Sequence, residues 1–507
     1  MENKILKFED LEKKIKKLKS IKKNIVLCHG VFDLLHIGHI KHLEESKKLG
    51  NILIVSLTSD RFVNKGPGKP FFSEKQRLYA LTSLKVVDYV VLNDYLTSEK
   101  VIQKIKPTIY SKGPDYKNQN KDFTGQIKKE VSIVEKYRGK VIFTKSETNT
   151  SSGLINQFLK KKSNNEIKIV NKIKKTYSFP LIKKNFEKLQ SLKVLVIGEL
   201  IIDDYNFCEA LGKSGKEPIL VLKDLYNEQY IGGTGAICRN LSDFCKQISL
   251  ITNIGEKSDK LSFIKKNLKF CKDIKFIKKK NSPTIIKKRF IDKINLNKVL
   301  GVYTLNDESL IKQDENKFNN ILSKMLPKFD LVIVSDYGHG LISKQSAKLI
   351  CKKSKSLALN LQINASNFGY HNIENYNNID FLILNEREIR HEFRDRTCSL
   401  EILMKKLVLK KKIKVLLVTR GKSGSVLYNQ KKNKFIYCDA YADKIVDKIG
   451  SGDAMLALTS VFLKCGFSEP LSILSGSLAA AQSVETLANK KNISKINLLR
   501  SLEYILK

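Results

Sequence analysis

The order of apolar and polar residues predicts buried strands that alternate with amphipathic helices in the N-terminal part of the chain. NIVLC (24–28) and NILIVSLTSD (51–60) are apolar runs of strand length. KHLEESKKLG (41–50) and SEKQRLYALTSL (73–84) have helical spacing, and Ser73 is a residue type that favours the N-cap of a helix. Alternating strands and helices predict βαβ units around a parallel sheet.

A second series of the same kind begins with the strand KVLVIG (193–198) and continues towards the C-terminus. LVIVSD (331–336), FLILN (381–385) and KVLLVT (414–419) predict further buried strands. The charged stretch before this series has no strand pattern, so it predicts a linker followed by a lead-in helix. The pattern therefore predicts an N-terminal domain, a linker segment and a C-terminal domain with these bounds: 1–160, 161–190 and 191–507.

The composition fits a globular protein of two or more domains. The chain has 507 residues, of which 42% are hydrophobic and 28% are charged. No apolar run approaches the roughly 18–20 residues of a membrane span, and the charged N-terminus does not predict a signal peptide. The nine cysteines form no CxxC pair, so neither a disulfide scaffold nor a zinc ribbon is expected, and the expected location is the cytoplasm.

The net charge of +42 makes nucleic acid an obvious candidate partner. Only 11 of the 93 basic residues are Arg, whose forked guanidinium is typical of surfaces that grip phosphates. The lysines are spread along the whole chain, which favours a solvated lysine-rich surface over a specific nucleic-acid site. A functional surface for polyanions stays open as the alternative.

The segment after the first strand contains four of the chain's seven histidines: His29, His36, His39 and His42. Two of them, His36 and His39, fall where a loop turns into a helix, and Gly38 lets the backbone approach a ligand closely. The N-terminus of a helix attracts phosphate, so two imidazoles there can stabilise the charge on an α-phosphate under attack. Incidental histidines and a zinc site are the alternatives, although only Asp33 accompanies them as a carboxylate ligand.

A second candidate site is the sequence DKIGSGDA (447–454). The backbone N–H groups of Gly450, Ser451 and Gly452 can form an anion hole for a transferring γ-phosphate. Asp453 can accept the proton of an attacking hydroxyl group, and a plain helix N-cap is the alternative. The two GKS tripeptides do not belong to a P-loop, because neither has the Gly that this motif requires five residues earlier.

The sequence GVFDLLHIGHIKHLEESKKLG resembles the nucleotidyltransferases of the cytidylyltransferase-like superfamily. The resemblance extends over SLTSD (56–60), KPFFSEKQR (69–77), KGPDY (112–116) and TNTSSGLIN (148–156). It implies a Rossmann-like fold and transfer of a nucleotidyl group from ATP or CTP to a sugar phosphate, with His36 and His39 on the triphosphate. It also implies nucleotide or phosphate contacts from the following residues: Gly30, Phe32, Asp33, Lys65, Arg77, Asp115, Thr150, Ser151 and Ser152.

IGGTGAICRN (231–240), SDYGHG (335–340) and NERE (385–388) join the GSGD sequence in resembling the ribokinase-like (PfkB) sugar kinases over residues 191–507. The resemblance implies a ribokinase-like α/β domain with a small β lid that uses ATP and Mg²⁺. It implies that Asp453 is the catalytic base beside the anion hole of Gly450, Ser451 and Gly452. The further roles that it implies are sugar binding by Asp203, Gly232, Gly233, Lys287 and Arg289, nucleotide binding by Thr419 and Gly421, and Mg²⁺ binding through water by Asn385 and Glu388.

Together the two parts are most similar to the bifunctional heptose kinase/adenylyltransferases, with the domain order reversed. The resemblance implies phosphorylation of heptose 7-phosphate at O1 and adenylyl transfer to the sugar 1-phosphate, which gives ADP-heptose and pyrophosphate. A separate phosphatase would act between the two steps, and the lid is expected to pair two copies in a homodimer. Pro114, Ala236 and Glu199 depart from the family motifs, so a different sugar or polyol phosphate with CTP stays open. A non-catalytic polyanion-binding protein is the lesser alternative.

Overall fold

The structure, a computed structural model, describes residues 2–63, 69–117, 126–145, 163–442 and 445–506, without the side chains of Glu2 and Asp115. The chain separates into two compact units, residues 1–162 and 163–506. Each unit has a predominantly parallel sheet of its own, and the second also has a smaller sheet.

The first unit is a parallel sheet with helices between successive strands. Its strands are β1 Ile5–Leu6, β2 Ile25–Gly30, β3 Ile52–Thr58, β4 Tyr89–Asn93, β5 Ile109–Lys112 and β6 Lys140–Phe143. Its described helices are α1 Leu11–Ser20, α2 Ile37–Lys48, α3 Glu74–Thr82, α4 Glu99–Ile105 and α5 Gln126–Lys136. The strand order is β1-β4-β3-β2-β5-β6, and every neighbouring pair is parallel.

The packing of the central strand β2 explains why its first four residues, 25–28, are all apolar. Ile25 and Leu27 pack on the face covered by α1 and α4, whereas Val26 and Cys28 pack on the opposite face against α2 and α3. Successive side chains of a strand point to opposite faces, so a parallel strand covered by helices on both sides needs apolar residues at every position.

Helix boundaries in this unit follow local capping. Ser73 caps α3 in a capping box with Gln76, which confirms the N-cap predicted at that residue. Helix α2 begins at Ile37 rather than at the predicted residue 41, because His36 caps it. Helix α5 and the short strand β1 were not predicted.

The segment predicted as a linker and lead-in helix is helical and belongs to the second unit. It forms α6 Asn164–Thr176 and α7 Phe179–Asn185. Ser163 caps α6 and also donates a hydrogen bond to Asp439. The buried residues Ile169, Val170 and Ile173 lie on one face of α6, so its apolar spacing is that of a helix packed on a domain.

The second unit is built around a larger sheet whose order is β11-β10-β7-β14-β15-β16-β17-β18-β19. Its strands are β7 Lys193–Gly198, β10 Gln247–Gly255, β11 Asp273–Lys279, β14 Leu331–Asp336, β15 Leu357–Leu361, β16 Phe381–Asn385, β17 Val415–Thr419, β18 Ser425–Asn429 and β19 Lys434–Cys438. The neighbours from β11 to β17 are parallel, and β18 and β19 are antiparallel. The remaining helices are α8 Thr234–Leu241, α9 Leu261–Asn267, α10 Lys312–Met325, α11 Lys344–Lys353, α12 Glu386–Phe393, α13 Leu400–Lys411, α14 Ser451–Lys464, α15 Glu469–Val484 and α16 Lys495–Leu506.

A four-stranded sheet, here called the lid, accompanies the large one. Its strands are β8 Leu200–Lys213, β9 Leu220–Gly233, β12 Ile286–Asp292 and β13 Lys298–Thr304, in the order β13-β12-β8-β9. The N-terminal part of β8 is buried and its C-terminal part is exposed, so one strand both packs on the unit and projects from it. The α/β class, the parallel sheet in each part and the small β lid are confirmed.

Candidate active sites

The two histidines predicted at a helix N-terminus lie together at the start of α2. His36 is the N-cap residue, and its Nδ1 accepts a hydrogen bond from the N–H of Gly38 at 3.1 Å. The ring centroids of His36 and His39 are 4.1 Å apart. The first turn of α2 contains no acidic residue, so it combines the positive end of the helix dipole with two imidazoles.

The other two histidines of the cluster have structural partners. His29 Nδ1 lies 2.9 Å from Ser56 Oγ, and His42 Nδ1 lies 2.9 Å from Thr144 Oγ1. Burial lowers the pKa of each imidazole to about 4, so both are neutral at pH 7. Only His36 and His39 therefore combine proximity to each other with a helix N-terminus.

Gly30 and Phe32 shape the loop between β2 and α2. A Cβ atom at Gly30 would lie 3.0 Å from the Phe32 ring, and Phe32 has a φ of 46°. The Phe32 ring centroid lies 5.3 Å from that of His39. Phe32 thus packs between the end of β2 and the histidine pair, while its nucleotide contact stays a prediction.

Asp33 binds the chain segment that leads into α3. Its Oδ1 accepts hydrogen bonds from the N–H groups of Phe71 and Phe72 at 2.7 and 2.9 Å. Its Oδ2 lies 3.6 Å from Lys69 Nζ. Asp33 therefore holds this segment beside the loop that carries the histidines, and its ligand contact stays a prediction.

The side chain of Arg77 is buried, and its hydrogen bonds connect three segments of the first unit. Its guanidinium donates to the carbonyls of Phe72 and Val31 at 2.9 and 2.6 Å, and to Asp60 Oδ1 at 2.6 Å. Its exposed fraction is 1%, so these three acceptors satisfy a charge that is almost fully removed from water. The predicted phosphate contact of Arg77 stays a prediction.

Several residues predicted from the first resemblance lie outside the described part of the chain. They are Lys65, Thr150, Ser151 and Ser152. Asp115 lies in the turn Pro114–Tyr116, but its side chain is also outside the described part.

In the second unit, Asp453 lies in the first turn of α14 and is half-buried. Its Oδ1 accepts a hydrogen bond from the hydroxyl of Tyr337 at 2.7 Å. Burial raises the pKa of the Asp453 carboxyl to about 7, although the Tyr337 hydrogen bond and Lys287 lower it. A carboxyl with such a pKa is available as a proton acceptor near neutral pH, which suits general base catalysis.

The lid brings the predicted sugar-binding residues together. Arg289 Nη1 lies 2.6 Å from Asp203 Oδ1, and Lys287 pairs with Asp203 in the register of β12 and β8. A Cβ atom at Gly232 would lie 2.2 Å from Asp203 Oδ2, and one at Gly233, which has a φ of 56°, would lie 2.5 Å from the Glu199 carbonyl oxygen. The glycines leave space for these oxygens.

The predicted anion hole lies at the N-terminus of α14. Gly450 is the N-cap residue with a φ of 85°, and a Cβ atom there would lie 2.0 Å from Asn489 Oδ1. Ser451 and Gly452 follow in the first turn, whose N–H groups lack a partner four residues earlier within the helix. The backbone at this point can therefore donate to an anion, with Asp453 beside it.

The predicted magnesium residues form a helix cap. Asn385 caps α12 through the N–H of Glu388, and Glu388 Oε2 accepts from the N–H of Asn385 at 2.8 Å. Burial raises the pKa of the Glu388 carboxyl to about 7. No group of three or more His, Cys, Asp or Glu side chains suited to a metal ion occurs among the described residues. The pair does not fit direct coordination, and a contact through water stays a prediction.

The predicted nucleotide-side residues lie where β17 turns towards β18. Thr419 ends β17, and Gly421, with a φ of 56°, begins a short 3₁₀ turn at Gly421–Ser423. Glu386, at the start of α12, accepts from Arg420 at 3.0 Å and thereby ties this turn to the end of β16. The nucleotide contacts of Thr419 and Gly421 stay predictions.

Sequence reasoning assigned no role to Tyr337 and interpreted Glu199 only as a departure from a motif. Glu199 is fully buried and accepts from the N–H groups of Tyr337, His339 and Leu341 at 3.0, 3.2 and 3.3 Å. The signal was available, since SDYGHG follows a buried strand of a parallel sheet, where polar residues of several strands meet.

Asp447 was also missed, and it connects the lid to the loop before the anion hole. Tyr205 Oη of β8 and Lys298 Nζ of β13 lie 2.6 and 2.5 Å from the Asp447 carboxylate. The N–H groups of Ile449 and Ala488 also donate to it at 3.1 Å. Burial works against the charge, but these partners keep the pKa of Asp447 below its usual value.

Comparison with known families assigns both units. Residues 191–493 match the model of the pfkB family of carbohydrate kinases, and residues 27–168 match the cytidylyltransferase-like model. The chain belongs to the pfkB carbohydrate kinase family. This confirms the resemblance stated for the second part, and the N-terminal match confirms that stated for the first.

Curated relatives match part of this pfkB family chain. The bifunctional protein HldE of Aliarcobacter butzleri is 42% identical over 146 residues, which are 28% of this chain and 29% of that protein. The bifunctional protein HldE of Helicobacter pylori strain Shi470 is 44% identical over 128 residues, which are 25% of this chain and 27% of that protein. The matches thus span less than a third of each relative.

A solved structure supports the fold of the pfkB unit. Phosphofructokinase-2 from Escherichia coli, in complex with potassium, aligns over 62% of this chain and 100% of that chain with a TM-score of 0.51. The sequence identity is 12%, so the likeness concerns the fold alone. No helix among the described residues is both long and apolar enough to span a membrane.

Proposed function

We propose that the chain is a bifunctional enzyme that phosphorylates a sugar phosphate and transfers a nucleotidyl group to a sugar 1-phosphate. The observation that carries the kinase half is the half-buried Asp453 at the N-terminus of α14, beside the backbone N–H groups that follow Gly450. The observation that carries the other half is the pair of imidazoles, 4.1 Å apart, at the start of α2.

In the kinase reaction, the acceptor hydroxyl loses its proton to Asp453 as its oxygen bonds to the γ-phosphorus of ATP. The bond from that phosphorus to the β,γ-bridging oxygen breaks, and ADP leaves. The N–H groups of the first turn of α14 stabilise the negative charge on the transferring group. Asn385 and Glu388 would hold Mg²⁺ through water, and the ion would offset negative charge on the phosphates of ATP.

In the nucleotidyl transfer, an oxygen of the sugar 1-phosphate bonds to the α-phosphorus of the nucleoside triphosphate. The bond from that phosphorus to the α,β-bridging oxygen breaks, and pyrophosphate leaves. His36 and His39 stabilise the charge that develops on the triphosphate, and the N-terminus of α2 adds its dipole. The sugar 1-phosphate attacks the α-phosphorus of the triphosphate directly, so no covalent enzyme intermediate is required.

We propose heptose 7-phosphate as the sugar and ATP as the nucleotide of both halves. The relatives named bifunctional protein HldE and the cationic groups Lys287 and Arg289 in the lid support this choice. Arg289 is already paired with Asp203, which makes Lys287 the stronger candidate to bind the substrate's phosphate. A different sugar or polyol phosphate with CTP is the second candidate, and Pro114 and Ala236 favour it.

A separate phosphatase must remove the distal phosphate of the sugar bisphosphate before nucleotidyl transfer. The exposed apolar residues of the lid, such as Leu211 and Leu300 at 62% and 54% exposure, suit pairing of two copies through the lid. The nine free cysteines suit the reducing cytoplasm. The lysine-rich charge needs no nucleic acid partner.

Mass spectrometry of the reaction products tests the proposal directly. The purified protein is incubated with Mg²⁺, D-glycero-β-D-manno-heptose 1-phosphate and either ATP or CTP. A mass of ADP-heptose is expected with ATP. A mass of CDP-heptose would overturn the choice of nucleotide, and no product with either nucleotide would overturn the choice of sugar.

A further inference from the structure

Tyr337 lies between the candidate base and a buried carboxylate. Its hydroxyl donates to Asp453 Oδ1 at 2.7 Å, and its backbone N–H donates to Glu199 Oε2 at 3.0 Å. Tyr337 is 3% exposed, so its end of both contacts is shielded from water, and Asp453 is half-buried. A hydrogen bond to a charged group is worth more than one between neutral groups, above all where water cannot compete.

This contact fixes the rotation of the carboxylate of Asp453. A carboxylate has two oxygens, and only one is needed to accept the proton of the acceptor hydroxyl. With Oδ1 bonded to Tyr337, Oδ2 is the oxygen left to accept that proton. If the carboxylate rotated freely, Oδ2 would face the hydroxyl for only part of the time, and the rate of proton transfer would be lower.

We propose that Tyr337 is a positioning residue of the kinase site, which holds Asp453 Oδ1 so that Oδ2 receives the proton of the acceptor hydroxyl. The inference rests on the proposed kinase function. Tyr337 keeps its own proton throughout, and the proton of the acceptor moves to Oδ2 as its oxygen bonds to the γ-phosphorus. Glu199 extends the arrangement, since it binds the backbone N–H groups of Tyr337, His339 and Leu341 and so fixes the loop from which the tyrosine projects.

The charged groups that act on Asp453 come from two lid strands, and the Tyr337 hydroxyl acts on it from the loop after β14. Asp203 lies on β8 and raises its pKa, whereas Lys287 on β12 and the Tyr337 hydroxyl lower it. Arg289, also on β12, is paired with Asp203. Removing the Tyr337 hydroxyl takes away one of the two groups that favour the charged base, so the pKa of Asp453 rises above its value of about 7.

The test compares wild type and Tyr337→Phe in the kinase reaction with ATP and heptose 7-phosphate across a pH series. Phe keeps the ring that packs under Lys287 and removes only the hydroxyl. We expect the acid limb of the kcat profile to move up by about one pH unit, with kcat about fivefold lower at pH 7 and about tenfold lower at more acidic pH. The KM for ATP should stay within about twofold, because Tyr337 acts through Asp453 and not on the nucleotide.

Tyr376→Phe is the matched control. Its hydroxyl donates to Asp336 Oδ2 at 2.8 Å, so the variant also loses a buried tyrosine–carboxylate hydrogen bond without touching Asp453. We expect a loss of stability similar to that of Tyr337→Phe but no movement of the acid limb. If the acid limb moved equally in both variants, the inference would be overturned, because the shift would then be a general effect of losing a buried tyrosine hydroxyl.

A second measurement does not require turnover. Tyr337→Phe should lower the Tm more at about pH 8.5, where Asp453 is charged, than at about pH 5.5, where it is protonated. An equal loss of Tm at both pH values would mean that the Tyr337 hydroxyl does not favour the charged form of Asp453, and it would overturn the inference.

Asp453→Asn separates failure of the inference from failure of the proposed function. If this variant keeps full kinase activity, the proposed base is wrong and the inference falls with it. If Asp453→Asn is inactive while the acid limb of Tyr337→Phe coincides with that of wild type, only the positioning role is wrong.

Discussion

Two helix N-termini carry the candidate chemistry of this chain, and they are equipped differently. The first turn of α2 supplies two imidazoles and contains no acidic residue. The first turn of α14 supplies small residues and one half-buried carboxylate, Asp453. A phosphate nucleophile needs no base, whereas a sugar hydroxyl must lose a proton. The turn of α14 thus contains the base that a hydroxyl acceptor needs. The turn of α2 contains no carboxylate, and its proposed acceptor is a phosphate that needs no base.

The largest effect should come from Asp453→Asn. The amide cannot accept the proton, so we expect kinase turnover to fall by about 10³-fold while nucleotidyl transfer is retained. ADP formation from heptose 7-phosphate and pyrophosphate release from heptose 1-phosphate, measured on the same sample, check this. Loss of both activities in a folded variant would mean that the two helix turns do not serve separate reactions.

His36→Ala combined with His39→Ala should give the opposite result. Removing both imidazoles takes away charge stabilisation at the triphosphate, so we expect pyrophosphate release to fall by about 10²–10³-fold with kinase activity intact. His42→Ala, which removes a neutral imidazole bonded to Thr144 at 2.9 Å, serves as the control for helix stability. A comparable loss of pyrophosphate release in His42→Ala would mean that the assay reports on folding.

Gly450→Ala should separate backbone geometry from side-chain chemistry in α14. A φ of 85° and a Cβ atom 2.0 Å from Asn489 Oδ1 predict a loss of about 1–3 kcal/mol in the free energy of unfolding. At Gly452 an added Cβ atom meets no atom within 4 Å, so Gly452→Ala is the matched variant and should unfold like wild type. Urea unfolding of the two variants checks the difference.

The smallest effect concerns pH. Burial raises the pKa of Asp453 to about 7, so the base becomes protonated as the pH falls below that value. Kinase kcat should then drop about tenfold for each further pH unit. A kcat that stays constant down to about pH 5 would mean that Asp453 is not the group whose proton controls the rate.

The alternation of strands and helices was predictable because most buried positions in the sheets are apolar. Helix α5 escaped prediction because its buried face contains Glu130, which breaks the apolar pattern. Glu130 is paired with Lys112 at 2.9 Å, and a pairing across 18 positions leaves no periodic signal in either segment. The full length of the lid strands was not predictable from the apolar pattern either, because the outer part of β8 is exposed and has no apolar run.

The candidate sites were predictable where one short segment holds the residues. His36 with His39, and Gly450 with Asp453, are each neighbours in sequence and lie in one helical turn. Tyr337, Glu199 and Asp447 act through partners more than a hundred positions away. The segment SDYGHG at the end of a buried strand marks the region of Tyr337, but no local pattern identifies the distant partner of any of the three residues.

The lid also has a consequence for the order of folding. Its strands β8 and β12 pair in parallel, with Ile202 opposite Ile286, so the chain between them must be looped out before the pair can form. Closing a long loop costs entropy before any contact compensates, and pairs distant in sequence slow folding. The lid cluster of Asp203, Lys287 and Arg289 therefore belongs to the late-forming part of its unit. A nascent chain released before residue 286 would contain Asp203 without the two cationic residues of this cluster.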